Sequence, residues 1–552
     1  MLWIILALRY VVLLLLYIFF IALLLYLKQH AGIKVKNPKH SLAVLASGCF
    51  SVKVGREWDV ENETVIGRDP GCPISIPDPY VSLRHARIFK VSGIYMAEDL
   101  GSRNGTFLNG ERVVGPTPVK PGDRLRIGRV VFGFNPPSRI REDRGISSLF
   151  LYPGLILAAG GVALYLNRFL SPHHFAALLS VAFFLSMGSL FSFIKGRGDP
   201  LIFLLIGILS SLGLIFLYRI NPAFGLRQSY WVLTGIAAFW IARIFLRHYE
   251  RLTEYKYLFM ALGVLFLLLT ILLGTEAGGA RSWLSLGSFR FQPSELVKIF
   301  MVIYLAGYLD ENREILTRGT RRFGPFLIPD WPYLGPLLAA CGLSLLLLVF
   351  QRDLGMALLF FAIFLTMVYA ATGRLSYLLS GVLLFAAGAW LMFLIFPHVQ
   401  ERIAVYLNPW KFSDSGGYQI IQSLFALGGG GVFGWGLGSG FPELIPAVHT
   451  DFIFPLLGEE MGLAGALGVV FIYAVLIWRG LQIALITPDD FGRLLAFGCS
   501  SLLALQALII LGGVTNLIPL TGIPLPFLSY GGSSFVSNCF LFGILTKIGE
   551  GE

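Results

Sequence analysis

Charged side chains interrupt an otherwise apolar chain at a few places where they could do chemistry. The longest such stretch is Gly-rich and runs from Arg402 to Glu460. It contains Asp414, a carboxylate that could take a proton from a hydroxyl group or simply form a turn. His449 and Asp451 precede an apolar segment, where the amides of a helix N-terminus favour an anion, although Asp451 could equally cap that helix. We interpret this stretch as an active-site region.

A second polar stretch links an outer loop to a predicted helix. It contains Arg281 and Gln292, and Pro293 is a good first residue for a helix. Glu295 and Lys298 lie three residues apart and therefore share one face of that helix. A charged pair so close to hydrocarbon indicates either a functional cavity or a structural ion pair that fixes helix packing.

Two shorter stretches complete the set. Asp353 lies between two apolar segments, where it could pair with a cation or form a tight turn. Residues 516–534 are rich in Pro and Gly and include Ser529. Irregular backbone of this kind is tolerated in a membrane only where it is buried in protein or lines a wet cavity. We predict that these separated stretches converge on one wet chamber.

The composition defines the class of protein that holds these residues. The 552 residues are 56% apolar and 14% charged, whereas soluble domains are about a quarter charged. The net charge of +11 is explained by basic cytoplasmic loops rather than by nucleic acid. Five scattered cysteines form neither a zinc motif nor a disulfide framework. Hydropathy predicts a polytopic α-helical membrane protein of about thirteen transmembrane helices, near residues 2–27, 147–166, 173–194, 199–218, 229–247, 256–274, 293–308, 333–350, 354–371, 376–396, 451–478, 491–514 and 524–547.

The same patterns divide the chain into regions. We expect a transmembrane anchor, a β-domain, a linker, two extra transmembrane helices and a main transmembrane domain, at residues 1–30, 41–135, 136–146, 147–198 and 199–552. The main domain includes a large loop at 397–450. Basic connections place the β-domain and the C-terminus in the cytoplasm, and the N-terminus and the 397–450 loop outside.

Short β-type runs between residues 41 and 135 predict a small all-β sandwich. Three motifs in this segment resemble those of a forkhead-associated (FHA) domain, namely Val65 to Arg68, Val81 to Ile88 and Leu100 to Gly110. The resemblance implies that Arg68, Ser82 and Arg84 bind phosphothreonine and that Asn104 holds the peptide backbone. Arginine charge and hydroxyl donors suit a phosphate. Leu83 departs from the family, so reduced affinity, or an FHA fold without phosphothreonine binding, is the alternative.

The polar stretches of the membrane region resemble the SEDS family of FtsW, RodA and SpoVE proteins from about Pro200 to the end. The motifs that carry the resemblance are Arg281-x-Trp283, Gln292 to Glu295, Asp353 to Gly355, Gly417 to Gln419, His449 to Phe454, Gly458 to Glu460 and Thr521 to Ser534. The resemblance implies a peptidoglycan glycosyltransferase that polymerises lipid II. The family's catalytic aspartate stands seven residues before the Gln of Gly-Tyr-Gln. Here Phe412 holds that position, and Asp414 is the nearby carboxylate.

The resemblance then distributes the chemical roles. Asp414, Glu295 and Lys298 are the expected catalytic residues. The lipid II pyrophosphate and headgroup are expected to meet the remaining candidates, which are Arg281, Gln292, His449, Asp451, Asp353, Glu460 and Ser529. No cofactor is specified, although a divalent cation (Mg²⁺ or Mn²⁺) would suit a diphosphate and no ligand spacing defines its site.

Partners and alternatives follow from the same resemblance. A class B penicillin-binding transpeptidase would perform cross-linking, and a Thr-phosphorylated cytoplasmic protein would dock on the FHA domain. The same cavity is also compatible with a lipid II flippase. A phosphothreonine-dependent membrane scaffold is the non-catalytic alternative.

Overall fold

The computed structural model describes residues 9–31, 41–47, 52, 57–60, 63–91, 94–120, 122–135, 144–194, 198–246, 248–277, 280–287, 289–318, 321–323, 326–328 and 331–550. The chain forms two compact units, Leu24–Gly145 and Met1–Leu23 with Ile146–Glu552. The second of these is the membrane unit.

The unit Leu24–Gly145 contains the predicted β-sandwich, and this prediction is confirmed. One sheet has the strand order β2-β1-β11-β10-β7-β8 and the other β4-β3-β5-β6-β9. Alternating apolar side chains from both sheets, such as Ile88, Leu125 and Phe132, fill the core between them. The strands are β1 Ser41–Ser47, β2 Glu57–Asp59, β3 Glu63–Gly67, β4 Ile74–Ser75, β5 Ala86–Val91, β6 Ile94–Asp99, β7 Thr106–Leu108, β8 Glu111–Arg112, β9 Thr117–Pro118, β10 Arg124–Ile127 and β11 Val130–Asn135.

The membrane unit is a bundle of apolar helices. In chain order, and including α1, which runs out of this unit, the helices are α1 Val11–Ala31, α2 Tyr152–Leu166, α3 Pro172–Ile194, α4 Pro200–Ile220, α5 Pro222–Phe245, α6 Lys256–Leu273, α7 Pro293–Arg318, α8 Trp331–Phe350, α9 Leu354–Thr372, α10 Leu375–Ile395, α11 Pro397–Leu407, α12 Gly417–Gly429, α13 Ile453–Ile486, α14 Asp490–Val514 and α15 Gly532–Glu550. Short strands β12 Thr275–Ala277, β13 Ala280–Leu286 and β14 Phe289–Phe291 form a sheet between α6 and α7, and β15 Arg321–Phe323 pairs with β16 Phe326–Ile328.

The expected number of spans is only partly settled by the helices. Each predicted span overlaps a helix, and eight helices within the described residues are long and apolar enough to cross a membrane. The others are shorter or carry more charge, so the count of thirteen stays a prediction. The predicted irregular backbone is confirmed, because residues 516–531 contain no helix or strand between α14 and α15.

The expectation of one long loop at 397–450 is wrong. Residues 397–407 form α11 and residues 417–429 form α12. In α12, Ile420, Ile421 and Ala426 are buried. Helices therefore hold part of this segment in a fixed position.

The first helix packs into the membrane unit. Phe19 contacts Tyr152 of α2 and Phe20 contacts Phe471 of α13, each with ring centroids 5.7 Å apart. The Nη1 of Arg9 donates a 2.7 Å hydrogen bond to the Oγ of Ser439. The first helix is thus packed against α2 and α13.

Candidate active site

A large open cavity lies at one end of the membrane unit, and we call it the chamber. Its volume is about 1440 Å³. It is lined by the ends of α5, α9 and α15, by α11 and α12, by strands β13 and β14, and by the irregular segment 516–531. Most of the polar stretches that the sequence singled out therefore meet here, as predicted.

One face of α11 forms a wall of the chamber. His398, Glu401, Arg402, Val405 and Tyr406 all line it. Their spacing of three or four residues places them on one side of an α-helix. The Nη1 of Arg402 also donates to the carbonyl of Leu520, at 3.4 Å.

Asp353, at the start of α9, also lines the chamber. Its Oδ1 accepts the backbone N–H of Met356 at 3.1 Å, which caps the helix, and its Oδ2 accepts from the Nε2 of Gln292 at 3.3 Å. Asp353 lies outside the span Leu354–Thr372. Burial raises the pKa of Asp353 to about 6, although the charge of Arg402 and both hydrogen bonds oppose this rise.

His449 and Asp451 line the chamber just before α13. The ring of His449 stacks on Phe224 at 4.5 Å, and burial lowers its pKa, which favours the neutral imidazole. Burial raises the pKa of Asp451, against a hydrogen bond from Thr450 and the charge of Arg402. The side chain of Asp451 therefore faces the chamber with part of its hydration removed.

Glu295 and Lys298 do not line the chamber, contrary to the sequence-based expectation. Both are buried within α7, with Lys298 Nζ at 2.5 Å from Glu295 Oε2. Lys298 also donates to Gln506 at 3.2 Å and to Asn538 at 3.0 Å. We call these residues, with Ser537, the buried cluster. Neighbouring helices supply the partners of Lys298 and of Glu295 Oε2, whereas Glu295 Oε1 is buried without a hydrogen-bond partner among the described residues.

Three further candidate residues do not line the chamber, and their roles stay predictions. Asp414 is exposed and absent from the chamber lining. The Nη1 of Arg281 lies near the carbonyl of Ile271 at 3.4 Å, while its neighbours Ala280 and Ser282 line the chamber. The Oγ of Ser529 is buried and accepts the backbone N–H of Leu525 at 3.1 Å.

Glu460 has a structural position instead of the expected substrate contact. Its carboxylate accepts the backbone N–H groups of Gly438 and Gly440, and it lies 3.4 Å from Arg219. Two residues beyond Glu460, α13 has a break at Gly462, whose φ of +70° favours glycine. The Gly-rich segment of the sequence is therefore held against α13.

The sequence interpretation missed the chamber's cations. Within the described residues the lining contains the arginines Arg227, Arg290, Arg352 and Arg402, and also the carboxylate Glu401. Pro397 followed by helical spacing could have indicated α11 and hence Glu401 and Arg402. No comparable signal marks Arg290 or Arg227. Within the described residues, no group of three or more His, Cys, Asp or Glu side chains could hold a metal ion.

In the β-sandwich, the predicted phosphothreonine residues lie on adjacent loops. The backbone N–H of Arg68 donates to the carbonyl of Ser82, at 2.9 Å, and the Oγ of Ser82 accepts the N–H of Arg103 at 3.2 Å. The Nδ2 of Asn104 donates to the carbonyl of Tyr80 at 2.8 Å. The side chains of Arg68, Arg84 and Asn104 are exposed.

His85 connects these loops through hydrogen bonds. It is buried, its Nδ1 accepts the N–H of Ser82 at 3.1 Å, and its Nε2 donates to the carbonyl of Gly105 at 3.2 Å. Burial lowers the pKa of His85, which keeps Nδ1 available as an acceptor. Gly67 is required here, because a Cβ would lie 2.0 Å from the carbonyl oxygen of Leu83.

Fold and chamber together define a polytopic membrane protein with a charged chamber and a separate FHA-like β-sandwich. Comparison with known proteins agrees: the FtsW/RodA/SpoVE cell cycle protein family matches residues 200–552, and the FHA domain matches residues 64–128. The chain belongs to the FtsW/RodA/SpoVE, or SEDS, family and carries an FHA domain.

Individual relatives refine this assignment. Peptidoglycan glycosyltransferase RodA of Mycobacterium tuberculosis is 41% identical over 64% of this chain and 78% of its own length. Stage V sporulation protein E of Bacillus subtilis is 34% identical over 64% of this chain and 97% of its own length. A solved structure described as "Structural coordination of polymerization and crosslinking by a peptidoglycan synthase complex" has a TM-score of 0.54 and 26% identity, over 64% of this chain and 97% of that chain.

Proposed function

We propose that this peptidoglycan glycosyltransferase polymerises lipid II in the chamber. The observation that carries the proposal is the meeting of four arginines with the carboxylates Asp353, Glu401 and Asp451 in one cavity of about 1440 Å³, counted over the described residues. That volume exceeds the roughly 300–1,000 Å³ of ordinary ligand pockets. A disaccharide diphosphate requires such space and such charges.

The reaction makes two demands on these side chains. The 4-hydroxyl of an acceptor sugar attacks the anomeric carbon of a donor, and undecaprenyl diphosphate leaves. A carboxylate takes the hydroxyl proton. The arginine charges stabilise the negative charge that develops on the departing diphosphate, because guanidinium groups match phosphate geometry.

The orientation and the partner belong to the same proposal. The chamber faces outward. The helix ends near Asp199, Arg243 and Arg479 face the cytoplasm, which is also the compartment of the FHA domain. The ion pairs Asp199–Arg479 and Arg243–Glu550 at that end fit this arrangement. Because the solved relative is a complex for polymerisation and cross-linking, we propose a class B penicillin-binding transpeptidase as partner.

Purified protein supplied with lipid II tests the proposal directly. We expect glycan strands, detected on gels after labelling, and their loss when Arg352 and Arg402 are both replaced by Ala. The control is Arg251→Ala, an exposed arginine beyond the far end of α5. Headgroup translocation across vesicles without any strand formation would instead support the transport function.

The FHA domain adds phosphothreonine docking. We propose that Arg68, Ser82 and Arg84 contact the phosphate and that Asn104 holds the peptide backbone. The support is their exposure on loops that hydrogen bonds and His85 keep in place. The occupant is a Thr-phosphorylated cytoplasmic protein.

A degenerate peptide library with a fixed central phosphothreonine tests this docking on the full-length protein. We expect retention of phosphorylated peptides, loss of retention for the unphosphorylated library, and loss again after Arg68→Ala. The matched control is Arg124→Ala, an exposed arginine of the same domain on strand β10. Equal retention by wild type and Arg68→Ala would contradict the proposal.

A further inference from the structure

We propose that Glu401 is the general base that takes the proton from the acceptor hydroxyl. The inference rests on the proposed function and names the residue that the reaction needs. It replaces the sequence-based assignment of this role to Asp414. The two residues lie in the same outer segment, but only Glu401 lines the chamber.

The position of Glu401 is set by α11. It lies on the helix face that lines the chamber and immediately precedes Arg402, which lines it as well. A Cβ on Gly416 would lie 3.8 Å from the Oε1 of Glu401. The carboxylate is therefore next to Gly416, the residue of the 413–416 turn that lines the chamber, whereas Asp414 does not line it.

The other chamber carboxylates each accept at least one hydrogen bond from the protein. Both oxygens of Asp353 accept hydrogen bonds, from Met356 and from Gln292. Asp451 is hydrogen-bonded to Thr450. Among the described residues, no group donates a hydrogen bond to the Glu401 carboxylate. Its lone pairs are thus available to a hydroxyl group that enters the chamber.

Exposure also allows Glu401 to complete the cycle. As the acceptor oxygen forms its bond to the anomeric carbon, its proton moves to the Glu401 carboxylate. The bond between that carbon and the diphosphate oxygen breaks, and its electron pair leaves with undecaprenyl diphosphate. Because Glu401 is exposed at the chamber wall, the carboxylic acid returns its proton to water before the next addition.

Steady-state polymerisation of lipid II by the purified full-length protein tests the assignment. We expect Glu401→Gln to lower kcat by about 100-fold or more, the usual contribution of a general base, with KM changed less than about threefold. Glu401→Asp should recover part of the rate. The matched control is Glu443→Gln, which removes an exposed carboxylate outside the chamber lining. Equal thermal midpoints for all variants establish that they fold.

The comparison with Asp414→Asn decides between the two carboxylates. The inference requires the loss of kcat in Glu401→Gln to exceed that in Asp414→Asn by at least about tenfold. The opposite ranking, or a wild-type rate in Glu401→Gln, overturns the inference and leaves the proposed function intact. Absence of strands from the wild-type protein overturns the proposed function itself, and the inference with it.

Discussion

The chamber and the buried cluster contain similar side chains in different surroundings. In the cluster, Lys298 contacts Glu295, Gln506 and Asn538, and none of these side chains lines the chamber. In the chamber, Arg402 and Glu401 are exposed to a cavity. Both regions are recognisable in the sequence because their charged residues lie beside apolar segments. What separates them is whether the protein or a ligand supplies the partners.

This difference assigns separate physical roles. A paired charge that the protein surrounds contributes to folding and helix packing, and removal of one partner leaves an uncompensated charge. A charge that faces a cavity contributes little to stability, since water solvates it until substrate arrives. Substitutions in the two regions should therefore change different measured quantities.

The largest effect on stability is expected from Lys298→Ala. Loss of one partner from a buried ion pair lowers the free energy of unfolding by about 3–5 kcal/mol. Replacing both charges, with Glu295→Leu and Lys298→Met, should restore most of it, because an apolar pair of similar volume needs no counter-charge. Chemical unfolding in mixed micelles measures both variants. If Lys298→Ala loses polymerisation but keeps wild-type stability, the Glu295–Lys298 pair takes part in the reaction. That outcome would contradict the structural role assigned to the buried cluster.

Arg402→Ala should show the reverse behaviour. Because Arg402 is exposed, we expect its free energy of unfolding to change by less than about 0.5 kcal/mol. Loss of one charge-assisted contact to the diphosphate, worth about 1.5–3 kcal/mol, should raise the KM for lipid II by roughly 10- to 100-fold. Arg251→Ala serves as the control outside the chamber. An unchanged KM together with lower stability would make Arg402 another structural charge.

Asp353 provides a pH test of the chamber wall. Folding raises its pKa from 3.8 to about 6, so between these values the folded protein binds more protons than the unfolded chain. Its contribution to stability therefore decreases as the pH rises through this window. We expect the thermal midpoint of wild type, relative to Asp353→Asn, to fall from about pH 4 to about pH 6. Parallel curves for the two proteins would show that burial does not perturb this carboxylate.

The sequence predicted the elements better than the directions of their side chains. Pro293 begins α7 as expected, and the Pro- and Gly-rich residues 516–531 are irregular and line the chamber. Local backbone preferences determine both features. Whether Glu295 faced a cavity or other helices depended on Gln506 and Asn538, which lie more than two hundred residues away. Spacing within α7 contains no information on those contacts.

The segment 397–450 shows the same limit at shorter range. When residues 397–450 are interpreted as one loop, α11 is not predicted, although Pro397 and the helical spacing after it favour a helix. The direction of Asp414 then depended on the turn at 413–416, for which no periodic pattern exists. Carboxylates as close as Glu401 and Asp414 can therefore differ in access to the chamber.

The smallest effect is expected from Arg281→Ala, and it is the most direct test of the comparison. Arg281 and Arg290 belong to the same small sheet, on β13 and β14, and both are exposed, but only Arg290 lines the chamber. We expect Arg290→Ala to raise the KM for lipid II by about tenfold, as loss of one charge-assisted contact would, and Arg281→Ala to change it less than about threefold. Arg281 and Arg290 have the same charge and are both exposed, so access to the chamber is the property that differs between the two variants. If Arg281→Ala has the larger effect, the substrate extends beyond the chamber, and lining alone does not define the site.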